Sequence, residues 1–316
     1  MTTTSRVDTP ATATTTGSTG RRRSNAQAWA PWALLAPFLL LFVLTFALPI
    51  LMAIGLSFTK VTRQGIFGEL GVTSEFAGFA NYAQALSNQN FIDSIFRMLL
   101  FGVVQVTVMM VLATVLALLL EGASARWPGF FRAAYFMPYG IPGVIATILW
   151  SFLYVPGLSP LIDIAALFGI ELDFLGPDTV LWSIANIVTW AYTGYNMLII
   201  VAQLKTIPNE VYEAAKVDGA GAWRIARSIQ LPLIRPALLL TTVFSIIGTL
   251  QLFAEPQVLQ TVSPAIDSEY TPNLSAYTTA FAYNDYNVAA AQAVLIAMVA
   301  LILSFAFLQL TSRRSK

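Results

Sequence analysis

Uncharged stretches long enough to cross a bilayer recur six times along the chain: Trp32 to Phe58, Met98 to Leu120, Ala133 to Tyr154, Thr179 to Leu204, Pro236 to Ala254 and Tyr286 to Leu310. A hydrocarbon core of roughly 30 Å needs about 20 helical residues. Lipid offers no water to unpaired backbone groups, so each stretch is predicted as a helix. The pattern therefore predicts an all-α membrane protein with six transmembrane helices. Pro and Gly interrupt several of them, most densely at Met137-Pro138-Tyr139-Gly140-Ile141-Pro142-Gly143. A kink is expected there, tolerable where a neighbouring helix or a cavity satisfies the freed backbone.

The polar segments between these stretches give an orientation. With the amino terminus inside, Arg6, Arg21, Arg22, Arg23, Arg126, Arg132, Lys205, Lys216, Arg224, Arg227, Arg235, Arg313, Arg314 and Lys316 all fall on the inner side. Lys60, Arg63 and Arg97 fall outside. Cytoplasmic loops carry the Lys/Arg excess, so both termini are expected in the cytoplasm. The outer segments are acidic, with Asp163, Glu171, Asp173 and Asp178 in one and Glu255, Asp267, Glu269 and Asp285 in another. Such a surface either solvates the loops or steers a soluble external partner onto them.

These features divide the chain. Residues 1–28 form a Thr/Ser/Gly-rich tail that cannot bury enough surface to fold alone. Residues 29–58 are the first transmembrane helix, too long for a signal-peptide core and without a clean cleavage site. An outer loop spans 59–97, a core of five transmembrane helices spans 98–312 with an inner loop at 205–235, and 313–316 are a basic end. Composition agrees: 57% of the 316 residues are hydrophobic and 10% charged, with a mean hydropathy of +0.70. Neither Cys nor His occurs, which removes thiol chemistry, Cys/His metal sites and histidine acid–base mechanisms. A membrane-embedded enzyme would need intramembrane carboxylate pairs or a Ser–Lys dyad, and the six stretches contain neither.

The 205–235 loop is patterned as two short helices. Pro208 suits a first turn, Glu210 and Glu213 lie toward the positive end of the dipole, and Gly219 supplies a left-handed stop. Glu213-Ala214-Ala215, Gly219 after three residues, and Ile229-Gln230-Leu231-Pro232 after nine more match the EAA signature of ABC importer permeases without a mismatch. An amphipathic helix on the membrane surface would explain neither the Ala pair nor the spacing of these blocks. Over roughly Trp29 to Leu310 the chain resembles the maltose-type, carbohydrate-uptake branch of these permeases. The ordered features are Ala36-Pro37, Pro49-Ile50, Phe79-Ala80-Asn81-Tyr82, Phe131-Arg132, Trp150, Asp218-Gly219-Ala220, Trp223 and Tyr277 to Ala291. Ala80 stands where that branch usually has Gly.

The resemblance implies a type I ABC importer permease fold with a cytoplasmic EAA coupling helix, in a bacterial plasma membrane. Glu213, Ala214, Ala215, Asp218 and Gly219 would seat in a nucleotide-binding subunit. It also implies a second homologous permease subunit, an ATPase dimer carrying the ATP and Mg, and an extracytoplasmic substrate-binding protein that delivers a sugar. The chain itself is then a transport subunit, with no cofactor of its own. It has no Gly-x-x-x-x-Gly-Lys-Ser/Thr loop, so ATP hydrolysis falls to a partner.

Sugars are gripped by aromatic faces and a few hydrogen-bonding groups. Asn186, Trp190 and Thr193 fall on one face of the fourth stretch, with Tyr192, Tyr195 and Asn196 beside it. Gln251 and Glu255 share a stripe of the fifth with Ser245 and Gly248. Trp190 and Gln251 lie at similar heights, about 21–23 Å from the inner ends by 1.5 Å per residue, and are expected to face one cavity. Glu255 is expected at the outer boundary of its span. The alternative for these residues is packing and helix-to-helix glue. Another neutral solute such as a polyol, or a glycerol-phosphate compound, is the alternative substrate. An anion would call for basic residues near the pathway, where only Arg97 stands at a margin.

Overall fold

The computed structural model describes residues 25–63, 72–122 and 126–312. The tail up to residue 24 and the basic end 313–316 lie outside the described residues. The chain divides into two compact units, residues 1–51 and 52–316. Five helices are long and apolar enough to cross a membrane, and a bent pair makes a sixth.

The first helical run, Pro31–Ser57, is highly apolar. Phe38, Phe42 and Phe46 stack at successive turns, with centroids 6.1 and 5.8 Å apart. A π turn, Val43–Ala47, interrupts it just before Pro49. Proline has no N–H and collides with the carbonyl four residues back, and widening the preceding turn relieves both problems. The same device recurs at Ala226–Gln230, just before Pro232.

The second span, Gln89–Leu120, is longer than the uncharged stretch from Met98 suggested. Asn88 caps it by accepting from the N–H groups of Asn90 and Phe91 at 2.9 and 3.3 Å. At about 1.5 Å per residue its 32 residues cover roughly 48 Å, more than a hydrocarbon core of roughly 30 Å requires, and its first turns carry Asp93 and Arg97.

The third span is not a kinked helix but a broken one. Pro128–Gly140 and Gly143–Tyr154 meet at 97°. Two prolines enforce the break: Pro138 opens a 3₁₀ turn, Met137–Gly140, and Ile141, next to Pro142, takes the extended conformation that a following proline demands. The fourth span, Val180–Leu204, is continuous. Arg235–Leu250 opens the fifth, which breaks at Gln251–Phe253 and resumes as Ala254–Leu259. The sixth is Tyr286–Ser312.

The second and fourth spans pack along their length. Ala113 and Ala117 let Met197, Ile200, Val201 and Leu204 approach closely, and Ile234 closes that cluster. A second cluster gathers Met98, Phe101, Tyr154, Ile184, Ile187, Leu250 and Leu259. Between them Gln105 joins three spans, donating to Thr189 Oγ1 at 3.4 Å and accepting from Thr249 at 3.3 Å. The architecture is helical as expected, with one addition: Thr59–Arg63 and Val72–Phe76 pair as an antiparallel ribbon, Thr59 opposite Phe76. Asn81 holds its base by donating to the carbonyls of Ser57 and Thr59, both at 2.8 Å.

Candidate functional site

Two regions gather the residues singled out from sequence. The first is the loop between the fourth and fifth spans. Its helix, Asn209–Val217, follows an extended Pro208, with Glu210 in the first turn and Lys216 in the last. Gly219 ends it at φ +75°. The N–H of Gly219 donates to the Lys216 carbonyl at 3.0 Å and that of Ala220 to the Ala215 carbonyl at 2.9 Å. That is a Schellman stop, and glycine adopts the required backbone without strain. Gln230 Nε2 reaches the Tyr212 hydroxyl at 3.4 Å and ties the helix to the segment that returns to the membrane.

Glu213, Ala214, Asp218 and Gly219 are exposed on this helix. Ala215 is not: it is 8% exposed, its methyl turned toward its own chain. The five positions taken as one contact surface thus split, with Ala215 allowing the helix to lie close to the rest of the protein. Two apolar side chains missed as site residues stand open here, Val217 at 88% and Trp223 at 76%. Their position near Glu213 was legible, since Val217 follows it by four residues.

The second region surrounds the break in the third span. Tyr139 leaves the break, stacks on Tyr195 with centroids 4.6 Å apart and meets Tyr192 edge-on at 5.7 Å. Trp150 meets Trp190 edge-on at 5.7 Å, and its buried Nε1 has no hydrogen-bond partner among the described residues. Asn186 donates to the Tyr154 hydroxyl at 2.9 Å, which in turn donates to the Ser183 carbonyl at 3.1 Å.

A family model described as the binding-protein-dependent transport system inner membrane component matches residues 114–316. The lactose transport system permease protein of Rhizobium radiobacter is 31% identical over 87% of this chain and 91% of its own length. The chain belongs to this permease family. The sn-glycerol-3-phosphate transport system permease protein of Agrobacterium fabrum is 29% identical over 87% of this chain and 92% of its own length. In fold, the permease matches a chain of a bacterial alginate ABC transporter, solved in complex with an alginate pentasaccharide-bound periplasmic protein, with a TM-score of 0.78 at 21% identity. That match covers 94% of this chain and 99% of the other. The protein is thus a multi-pass membrane permease of the type I importer fold, a transport subunit.

Within the permease the pathway candidates do not form one wall. Tyr192, Tyr195, Trp190 and Asn186 all meet aromatic partners from the third span. Thr193 and Asn196 are buried: Thr193 donates to the Thr189 carbonyl at 2.5 Å, and Asn196 donates to the Tyr192 carbonyl at 3.1 Å beside Met109. Asn196 is packing glue between the second and fourth spans. Gln251 is exposed at the end of the fifth span's first helix. No hydrogen bond or ring contact joins it to Trp190 among the described residues. Glu255, expected at the outer boundary of its span, is buried within the protein. It lies in the first turn of the resumed helix, 8% exposed, and its Oε1 sits 3.7 Å from where a Cβ on Gly143 would stand. The break in the fifth span, unforeseen from hydropathy, carries it there. Tyr139 and Tyr154 were missed because they lie among the third span's kink residues and its outer end, where hydropathy alone gives no partner.

At the end of the bundle away from the 205–235 loop, Arg97 donates to the Tyr270 carbonyl at 2.7 Å and lies 4.4 Å over its ring. Burial pushes the Tyr270 phenol above its ordinary value, Arg97 pulls it partly back, and Asp267 adds to the rise. The loop that follows the fifth span is thereby pinned to the second.

Proposed function

We propose that the permease forms, with a second permease subunit, the pathway for a neutral sugar delivered by an extracytoplasmic binding protein. ATP hydrolysis by a cytoplasmic nucleotide-binding dimer, which carries ATP and Mg, drives the cycle. Both termini and the 205–235 loop then lie in the cytoplasm, consistent with the Lys/Arg bias. Glu213, Ala214, Asp218 and Gly219, with Val217 and Trp223, form the surface gripped by the ATPase. A short helix stopped by a Schellman turn and tied back through Tyr212 is stiff enough to pass a rigid-body push to the fourth and fifth spans.

The observation that carries the sugar reading is the aromatic layer where the broken third span meets the fourth. Tyr139, Tyr192 and Tyr195 on one side and Trp150 and Trp190 on the other present rings with hydroxyl and indole groups. Such rings cover the apolar faces of a sugar while their polar edges bond its hydroxyls. No basic side chain contacts this layer among the described residues, and Arg97 is committed to Tyr270. A neutral solute is favoured over a glycerol phosphate on that ground, although two relatives are named for the latter.

The test is purification in mild detergent with whatever subunits assemble, followed by ATPase assays with the co-purifying binding protein and a panel of sugars, polyols and glycerol phosphate. Stimulation by a neutral oligosaccharide supports the reading. Stimulation by glycerol phosphate alone, or substrate turnover by the isolated chain without nucleotide, overturns it.

A further inference from the structure

At the end of the bundle away from the coupling loop, a cavity of about 350 Å³ opens between the Ala80–Ser87 helix, the Pro272–Phe281 helix and the start of the sixth span. Gln84, Asn88, Glu269, Tyr283, Asp285 and Gln292 are among its walls. Glu269 is 9% exposed and Gln292 1%. One oxygen of each carboxylate is already engaged. Glu269 Oε1 accepts from Asn88 at 3.2 Å, and Asp285 Oδ1 caps the sixth span by accepting from the Val288 N–H at 3.1 Å.

The second oxygen of each is free of hydrogen bonds among the described residues. Gln292 donates its Nε2 to Ser275 at 3.3 Å, while its buried Oε1 has no partner among the described residues. Neither carboxylate has a counter-ion among the described residues. Arg97 is spent on Tyr270, and the ion pair among the described residues is Arg132–Glu121, elsewhere in the protein.

Three free acceptors in one cavity, two of them carboxylate oxygens, match the three N–H donors of a primary ammonium. A guanidinium prefers both oxygens of one carboxylate, which neither residue can offer here. No group of three or more acidic or His/Cys ligands occurs among the described residues, so a metal ion is a poorer fit. Tyr283, exposed at 64% in the wall, supplies an aromatic flank for an aliphatic stem. We propose that this cavity is a socket for a lysine side chain of the extracytoplasmic binding protein, its ammonium held by Glu269, Asp285 and Gln292. The inference rests on the functional reading above and adds to it where, and by what chemistry, the partner registers on this subunit. The acidic balance of this end of the chain favours a basic knob on that partner.

The test uses the assembled importer with its binding protein docked. A water-soluble carbodiimide, which joins only carboxylates and amines in contact, is expected to link Glu269 or Asp285 to a lysine of the binding protein, mapped by mass spectrometry. The double substitution Glu269→Gln with Asp285→Asn keeps side-chain shape and leaves an acceptor to cap the sixth span. It should abolish that link and raise the binding-protein concentration for half-maximal ATPase stimulation about tenfold. Links confined to other carboxylates such as Asp267 or Asp163, or an unchanged half-maximal concentration, would overturn the socket while leaving the importer reading intact. Failure of any binding protein to engage the wild-type importer would overturn both.

Discussion

The ring of Tyr139 lies on that of Tyr195, 4.6 Å between centroids and 17° from parallel. Tyr139 belongs to the 3₁₀ turn at the break and Tyr195 to the middle of a straight helix, so the stack fixes where the broken span sits. An aromatic pair contributes about 0.5–1.5 kcal/mol beyond its burial. Tyr195→Ala is therefore expected to lower uptake roughly tenfold or more at equal membrane abundance, because it removes one ring and releases another. Tyr195→Phe keeps the stack and should stay within about threefold of wild type. Equal loss in both variants would assign the role to the hydroxyl rather than the ring.

Gly194 is where the fourth span touches the backbone of the third. A Cβ there would run into the carbonyl of Tyr135, and a backbone carbonyl in a packed helix cannot swing aside. Overpacking costs about 1–3 kcal/mol and more where the neighbour is rigid. Gly194→Ala should sharply lower the thermal midpoint of the detergent-solubilised protein, or its membrane abundance. Gly248→Ala is the control: nothing lies within 4 Å of the added methyl, and alanine is the better helix former by about 1 kcal/mol. Similar behaviour of the two variants would show that this close approach does not limit stability.

The spans themselves were legible in the sequence because lipid imposes one requirement on every residue of a helix, and uncharged length reports it directly. The Schellman stop was legible for the same local reason, glycine at the end of a short capped helix. What hydropathy did not carry was where an apolar run stops being straight. Met137 to Gly143 reads as apolar whether it kinks or turns a right angle, and only Ile141 before Pro142 hints at the second. The break at Gln251–Phe253 has no proline within it, so hydropathy places Glu255 near the outer end of its span and gives no sign that it is buried against the third. Ala215 faces inward although the signature sets it beside Ala214, because spacing fixes identity and not which side of a short helix is covered.

The Asn209–Val217 helix gives a third expectation. Gly219 holds φ +75°, which costs a non-glycine residue roughly 1–2 kcal/mol. Gly219→Ala should reshape the exit from the helix and reduce transport several-fold, whereas Gly219→Asn, tolerant of that backbone, should be milder. Gly221 has an ordinary φ of −71° and open space around it, so Gly221→Ala should be silent. The comparison is made by transport per ATP hydrolysed in proteoliposomes. Equal loss from Gly219→Ala and Gly221→Ala would detach the effect from backbone strain.

Glu255 and Gly143 offer the last one. The helix Gly143–Tyr154 begins after Pro142 with no side-chain cap, and its first intrahelical bond runs from Ala146 N–H to the Pro142 carbonyl. The N–H groups of Gly143, Val144 and Ile145 therefore lack intrahelical acceptors, at the positive end of the helix. The Glu255 carboxyl is held beside them from the broken fifth span. Its removal should loosen the outer half of the third span, with thermal midpoints falling in the order wild type, Glu255→Gln, Glu255→Ala. A helix-end interaction of this kind in a partly buried setting is worth up to about 2 kcal/mol. Gly143→Val crowds the same carboxyl, so its cost should shrink once Glu255→Ala is present, by an interaction of roughly 0.5–3 kcal/mol in a double-mutant cycle. Strict additivity would mean that the carboxyl and the helix start do not act on one another, and the two breaks would then be independent features of the fold.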